Sequence, residues 1–369
     1  SGLLSWRGKA RIALEPFARG RELDDETIHA FAARRIGREA ADVFVDSMVS
    51  GVFGGDAHTL SLRACFPRMW QFETDHGGLV RAWIARRRTR RRGEPLGSPL
   101  GRLTSLRGGA EELTRALATR LGGVVRTGVA VRSVRREGTR YCVDAGGDRI
   151  DADAVVLACG AAAAGRIVRP LDAPAADELG AMPTAGITVV ALGYPMRSLR
   201  RPLDGFGYLV PRSEQLRTLG CVWDSSVYPG RAPEGHALMR VMIGGATDPG
   251  AMALDDDALL TVVRAELRTV MGIDATPDFI RVIRHRGGIP QYTVGHLARL
   301  ARIEARLAPY PGIVLAGSGY RGVAINACIG EADTVAARLV AHCQGVAGAL
   351  DEPVPAATPR VWSPTAPVQ

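Results

Sequence analysis

Apolar and polar positions along this chain switch between a period of about 3.6 and a period of 2, and each switch marks an expected element. From Asp24 to Met48, apolar Ile28, Phe31, Ala32 and Ile36 recur at helical spacing. Asp24 or Asp25 is the expected cap, and Gly37 divides the stretch into two helices. The glycine-rich break Gly51-Val52-Phe53-Gly54-Gly55-Asp56 follows, and a second helical stretch runs from Leu60 to about Arg86. After a loop, Ser105-Leu106-Arg107-Gly108-Gly109 introduces a helix over Ala110 to Leu121. The period then drops to 2, with strands expected at Val124–Arg126, Ala130–Arg136, Arg140–Asp144 and Ala154–Ala158, an antiparallel meander feeding a buried strand. The β pattern returns at Ile187–Ala191, Gly207–Val210, Leu219–Trp223 and Ala237–Ile243. Asp255 caps a helix to Met271, and Phe279–Arg284 is a further strand. The order is that of an α/β (α+β) protein.

Near the C-terminus Pro311-Gly312 opens the short strand Ile313–Ala316, which runs into Gly317-Ser318-Gly319-Tyr320-Arg321-Gly322 and then a helix from Val323 to Cys343. Strand, G-x-G-x-x-G and helix together suit a phosphate or a flavin edge, because free N–H groups and the dipole at a helix start favour anions. Only 369 − 322 = 47 residues follow Gly322, with no second strand and no acidic residue at a strand end to hold a ribose. The motif is therefore expected to be half of a site.

Length and composition narrow the class. A chain of 369 residues with 46% hydrophobic content, 44 Gly and 22 Pro is an ordinary globular protein of two or more subdomains. The net charge of +9 is an arginine charge: of 47 basic residues Lys9 is the only lysine, leaving 46 arginines. Six cysteines, Cys65, Cys142, Cys159, Cys221, Cys328 and Cys343, lie far apart without a C-x-x-C pair, the pattern of reduced thiols in a cytoplasmic protein. The longest apolar run, Ala154 to Gly165, covers 12 residues, short of the roughly 20 that span a bilayer. Ser1-Gly2-Leu3-Leu4 carries no signal-peptide pattern and reads as the middle of a longer sequence. The run Arg86-Arg87-Arg88-Thr89-Arg90-Arg91-Arg92 reads as a solvated loop; no aromatic side chains interleave it as nucleic-acid stacking requires, and an anionic membrane surface is the alternative partner. The seven histidines show no metal-ligand spacing, no nucleophile motif occurs, and no catalytic acid, base or metal ligand is assigned.

Several segments resemble one family. Ile289-Pro290-Gln291-Tyr292-Thr293-Val294-Gly295-His296 is similar to the I-P-Q-Y-x-x-G-H signature of the protoporphyrinogen oxidase family, within the FAD-dependent amine-oxidase-like superfamily. Gly205 to Pro211, Leu219 to Ser226, Ser50 to Asp56 and Leu315 to Asn326 resemble that family's other segments in the right order. Ala158-Cys159-Gly160 and Ala327 depart from its usual residues, and the family's N-terminal strand, first G-x-G-x-x-G and ribose-binding acid have no match here. The resemblance implies a helical, membrane-facing insertion over 1–100 and part of an incomplete FAD/NAD(P)-binding-like domain over 101–170. It further implies an antiparallel-sheet substrate domain over 171–305, the strand–helix of the FAD domain over 306–345 and a disordered tail over 346–369.

By that resemblance, Val131, Gly317, Ser318, Gly319, Gly322, Val323, Ala324 and Ile325 meet FAD, while Gly54, Gly55, Phe206, Leu209, Val222 and Met242 meet substrate. The null alternative for the last four is plain sheet core. The implied activity is oxidation of a porphyrinogen, with dioxygen as acceptor. Protoporphyrinogen and coproporphyrinogen both remain open, as do a non-catalytic tetrapyrrole-binding remnant and, more distantly, a carotenoid-desaturase relative. No nucleic acid is expected as partner; a homodimer and peripheral attachment to the inner membrane surface are further expectations. The missing half-site implies that the chain by itself is colourless and inactive.

Overall fold

The computed structural model describes residues 2–18, 20, 24–89 and 104–345. Helices α1 (Trp6–Ala13), α2 (Ile28–Ile36) and α3 (Arg38–Ala40) run into a π-helical turn, Ala41–Val45, and then α4 (Asp46–Phe53). After these come α5 (Leu62–Cys65), α6 (Pro67–His76), α7 (Leu79–Thr89) and α8 (Glu111–Leu121). Strands β1 (Val131–Glu137), β2 (Arg140–Ala145), β3 (Asp148–Ala152) and β4 (Val155–Leu157) lead to α9 (Ala161–Val168) and α10 (Ala173–Gly180). The middle of the chain holds β5 (Thr184–Pro195), β6 (Gly207–Leu209), β7 (Thr218–Val222), α11 (Asp224–Val227) and β8 (His236–Gly244). The remainder is α12 (Asp256–Met271), β9 (Phe279–Pro290), α13 (His296–Leu307), β10 (Ile313–Leu315) and α14 (Ile325–Cys343).

These elements form two compact units, one of Ser1–Arg91 with Pro183–Val294 and the other of Arg92–Met182 with Gly295–Gln369. The N-terminal helices therefore share a unit with the antiparallel sheet. The divisions fall at 182/183 and 294/295, so α10 and α13 join the glycine-motif unit rather than the 171–305 segment expected to form the substrate domain. No helix among the described residues is long and apolar enough to cross a membrane.

In the first unit five strands pair in the order β6-β7-β8-β5-β9, all antiparallel. One face of the sheet is the core: Val190, Leu192, Met239, Val241 and Ile243 are buried with Leu259, Val263 and Leu267 of α12. Asp255 caps α12 through the Ala258 N–H at 2.8 Å, as its sequence predicts. At α2 the cap is Thr27, whose hydroxyl accepts the Ala30 N–H at 3.1 Å; Asp25 instead accepts the Ser61 hydroxyl at 2.5 Å. Gly37, at φ +95°, ends α2 where no other residue type would be relaxed. The expected Leu60–Arg86 helix is divided at Phe66-Pro67 and at Gly77, and α7 runs on to Thr89. Arg86, Arg87 and Arg88 are therefore helical, correcting the loop expected there, while Arg90 to Arg92 lie outside the described residues.

The second unit holds the β1-β2-β3 meander and a two-stranded parallel pair, β4 with β10, in register Val155↔Ile313 to Leu157↔Leu315. Leu157, Ala164, Val168, Leu179, Ile303 and Leu315 form its core. Val124–Arg126 is not a strand; Gly122–Val124 is a 3-10 turn. β3 is absent from the expected set because none of its side chains is buried, so no alternation betrays it. The apolar run Ala154 to Gly165 is divided by Gly160 into a strand and the start of α9. The segment 346–369 lies outside the described residues.

A buried ion pair holds the N-terminal helices together. Arg35 in α2 is fully buried; its Nε donates to Glu15 Oε1 at 2.8 Å, and its Nη atoms donate to the Ala18 and Gly77 carbonyls at 3.0 and 3.1 Å. Glu15 in turn accepts the N–H groups of Leu79 and Val80 at 2.9 and 3.0 Å, capping the start of α7. Burial by itself would raise the Glu15 pKa, but the Val80 and Leu79 N–H groups and Arg35 outweigh it and lower the pKa. Glu15→Gln leaves a buried guanidinium short of its counter-charge and should cost about 3 kcal/mol in urea unfolding. A carboxyl with a lowered folded pKa contributes in full above its unfolded value of about 4.3, and that contribution is lost as pH falls through the folded value. The stability difference between wild type and variant should therefore shrink as pH falls below about 4.3; a constant difference from neutrality to acid would remove Glu15 from this role.

Candidate functional site

The register of the antiparallel sheet decides which side chains share a face. Leu209 lies opposite Gly220, Gly220 opposite Met242, Met242 opposite Val189, and Val189 opposite Ile283. Side chains directly across a ladder point the same way, and so do residues two apart on one strand, which adds Val222. Leu209, Val222, Met242, Val189 and Ile283 thus form an apolar row on the face away from α12. None is sealed in the core: Leu209 and Ile283 are 44% and 37% exposed, and Val222, Met242 and Val189 are half-buried. Leu209 is exposed on this face, and Val222 and Met242 lie half-buried on it, outside the α12 core. Val189 and Ile283 were missed in the sequence, although Ile187, Val189 and Ala191 carry the alternation that would have found the first.

Gly54 and Gly55 end α4 beside this row. Gly54 sits at φ +53°, its carbonyl accepts the Ala246 N–H at 2.7 Å, and a Cβ there would lie 3.6 Å from Ile187, two residues from Val189. A Cβ on Gly55 would come within 2.6 Å of Leu60 and 2.7 Å of Gln291 Oε1. Both glycines are buried against their own unit, so they let α4 approach the sheet closely. α4 also reaches the row at Gly51, where any Cβ would collide with Leu209. Phe206 lies one residue before β6, 57% exposed, and the register does not bring it into the row.

In the second unit the glycine turn leaves β10 above the parallel pair. Gly317 and Gly322 have φ of +101° and +119°, and a Cβ on Gly322 would lie 2.6 Å from the Ala327 Cβ. Gly319 is different: its Cβ would make ordinary contacts, 3.5 Å and beyond, with Ala161. The turn is held from below. Buried Glu331 accepts the Gly317 N–H at 2.9 Å, Arg321 pairs with Glu304 and lies 3.7 Å from Glu331, and His296 Nε2 donates to the Tyr320 carbonyl at 2.9 Å. A carbonyl only accepts, so the Nε2 of His296 carries the proton and the residue is structural. The sequence motif did not reveal Glu331; an acid on an otherwise small and apolar helix face was its only trace.

α14 starts with Ala324 as cap and no side chain bonded to its first turn, and Ala324 and Ile325 are exposed there. A helix start with uncapped donors beside an exposed apolar side chain and two left-handed glycines fits a planar ring edge carrying polar atoms. Val323 is half-buried and Ser318 lies within the turn. Val131 opens β1 at 40% exposure. Thus Gly317, Ser318, Gly319, Gly322, Val323, Ala324 and Ile325 are gathered by one short segment, whereas Val131 comes from another element.

Burial pushes the Cys65 and Cys221 thiols up to about 12, so neither is a ready thiolate, and burial likewise raises the Tyr208 and Tyr320 hydroxyls. The arrangement can bind and orient apolar planar groups.

Residues 2–340 match the profile of flavin containing amine oxidoreductases. The chain is 30% identical to a coproporphyrinogen III oxidase of Bacillus subtilis over 338 residues, covering 90% of this chain and 71% of that protein. It is 34% identical to the bovine protoporphyrinogen oxidase over 335 residues, covering 86% and 69%. Its fold superposes on the crystal structure of a provisionally named protoporphyrinogen oxidase from Exiguobacterium sp. 255-15 with a TM-score of 0.74 and 24% identity, over 93% of this chain and 72% of the other. With a family profile spanning nearly all of it, the chain belongs to the flavin containing amine oxidoreductases.

Proposed function

We propose that this protein is an FAD-dependent oxidase that converts a porphyrinogen to a porphyrin with dioxygen as acceptor, a step of haem biosynthesis. The observation that carries the reading is the apolar row Leu209, Val222, Met242 and Val189, bordered on the same face by Arg240, which pairs with Asp224, in a chain whose relatives are porphyrinogen oxidases. The pyrrole rings of a porphyrinogen are apolar on their faces and become coplanar as its saturated bridges are oxidised, and an apolar face holds them through contact area rather than through specific polar bonds. The glycine turn supplies the cofactor side: Gly317 and Gly322 keep side chains away, Ser318 and the backbone from Val323 to Ile325 line the approach, and Glu331 fixes the turn's geometry. Bound FAD would accept two electrons at a time and pass them to dioxygen, so the six hydrogens lost between porphyrinogen and porphyrin would take three such cycles, each reducing one dioxygen to hydrogen peroxide. The chain's own part is to hold the macrocycle, present it and exclude polar competitors.

The direct test is to supply the purified full-length gene product with FAD and follow porphyrin fluorescence with protoporphyrinogen and with coproporphyrinogen. Porphyrin formation from either above the spontaneous rate is expected, and the faster one names the substrate; no acceleration with either overturns the reading.

Two substitutions test the glycine turn and the apolar row separately. Gly322→Val forces a β-branched side chain into a left-handed backbone against Ala327 and should cut bound flavin per chain at least tenfold, roughly the effect of 1.4 kcal/mol. Gly180→Ala, at an exposed helix end where a Cβ meets nothing within 4 Å, should leave flavin content unchanged; equal flavin in both variants would sink the assignment of the turn at Gly322. Met242→Glu puts a charge into the row without disturbing the turn. It should raise KM for the porphyrinogen by about tenfold or more, the scale of an unpaired buried charge, at unchanged flavin content. An unaltered KM would exclude the row as the substrate surface.

Peripheral attachment to an anionic membrane is part of the same proposal. Trp6, Phe17 and Trp83 are 83%, 78% and 49% exposed on the N-terminal helices, and Arg86 to Arg88 lie in the last turn of α7. Aromatic side chains suit the headgroup level and arginines its negative potential. Binding to phosphatidylserine vesicles should fall as salt rises, and fall further in the variant with all three arginines changed to Gln. Salt-independent binding, or equal binding of the variant, would count against it.

A further inference from the structure

Away from the apolar row and the glycine turn, three side chains with metal-ligating atoms converge in the first unit. His29 stands near the start of α2, Asp42 in the π-helical turn and His58 in the turn after α4, and their ligand atoms all lie within 4.8 Å of one another. His29 is 7% exposed, its Nε2 lies 2.6 Å from Asp42 Oδ1, and the His58 ring stacks on it at 3.8 Å between centroids.

Backbone bonds fix this arrangement. The His29 N–H donates to the Ala57 carbonyl at 2.9 Å, so the residue preceding His58 is tied to His29 itself. The Asp56 carboxylate accepts the His58 N–H at 3.0 Å, and its carbonyl accepts the N–H groups of Thr59 and Leu60. Asp42 is delivered by the π turn, a rare wide turn that recurs at functional positions. On the other side of His58, Asp46 and Asp56 already share a cation: Arg212 Nη2 lies 3.0 and 3.1 Å from their Oδ1 atoms. Among the described residues no guanidinium pairs with Asp42, whose ion-pair partner is His29 itself.

We propose that His29, Asp42 and His58 form a binding site for a first-row divalent transition metal, with Zn²⁺ the ion that the ligand set suits. Two imidazoles and one carboxylate are a recurrent borderline-soft set, and solvent can take the fourth position because Asp42 and His58 are both exposed. Metal–nitrogen bonds of about 2.0 Å place tetrahedral ligand atoms about 3.3 Å apart. The His29–Asp42 pair must open slightly and the widest pair must close; the exposed Asp42 and His58 make that adjustment around the buried, fixed His29. The metal replaces the proton that His29 Nε2 shares with Asp42, which passes to Nδ1 and leaves the ring neutral. The bound ion staples α2, the π turn and the turn that follows Gly54-Gly55. This inference does not depend on the proposed substrate.

Calorimetric titration of the chelator-treated full chain with zinc chloride should show one saturable site. His58→Ala and Asp42→Asn should each weaken it at least tenfold, while His76→Ala, an exposed histidine elsewhere, should not. Cobalt(II) in place of zinc should give the intense visible absorption of a four- or five-coordinate ion, lost in the same two variants. Both substituted side chains are exposed, and unchanged far-ultraviolet circular dichroism will verify folding. No saturable zinc binding at tens of micromolar, or the same affinity in all variants, overturns the site.

Discussion

Pairing of β5 along both of its edges is the constraint on which the architecture of the antiparallel-sheet unit depends. Nine residues from Ile187 to Pro195 match β8 without a break, and Ile187 to Gly193 match β9 on the other edge. A strand held on both sides cannot slip by one residue without turning every side chain to the opposite face. Val190 and Leu192 are thereby committed to the α12 core, and Val189 is committed to the other face with Met242 and Ile283. The apolar row is thus the by-product of a register that the core specifies. A surface built in this way is stiff, which suits holding apolar ring faces by contact area.

The glycine turn follows a different rule. Its shape comes from backbone conformations open to glycine and from a buried carboxylate beneath it. Glu331 would be costly inside α14 without partners; the Gly317 N–H and the nearby Arg321 guanidinium make its burial tolerable. The donor that Glu331 takes is one the turn could otherwise direct elsewhere, and the donors left over are those at the uncapped start of α14. A helix that declines a side-chain cap keeps its first N–H groups for something else.

The arginine excess acquires a local meaning in the fold. Arg217 with Asp248, Arg240 with Asp224, Arg212 with Asp46 and Asp56, and Arg302 with Glu178 are forked or bridging pairs that join separate elements. A planar guanidinium makes two directed bonds where an ammonium makes one, so a chain nearly devoid of lysine can use its basic residues as cross-links.

Local chemistry determined what could be read in advance. The helix capped by Asp255, the break at Gly37, the strands from Ile187 to Ile243 and the strand–glycine–helix at Gly317 all rest on residues a few positions apart, and they stand in the structure. So does the family, because its signature segments are short and contiguous. Tertiary structure decided the rest. Whether Leu209 and Met242 belong to the core or to an open face depends on strand register, and register is fixed by partners far away in sequence. β3 exposes almost everything and so leaves no alternation to read. The ladder of contacts from Glu15 to Arg35 and Leu79, and the meeting of His29, Asp42 and His58, join elements whose spacing in sequence carries no signal. Periodicity reports what one segment buries, and only packing reports what it buries it against.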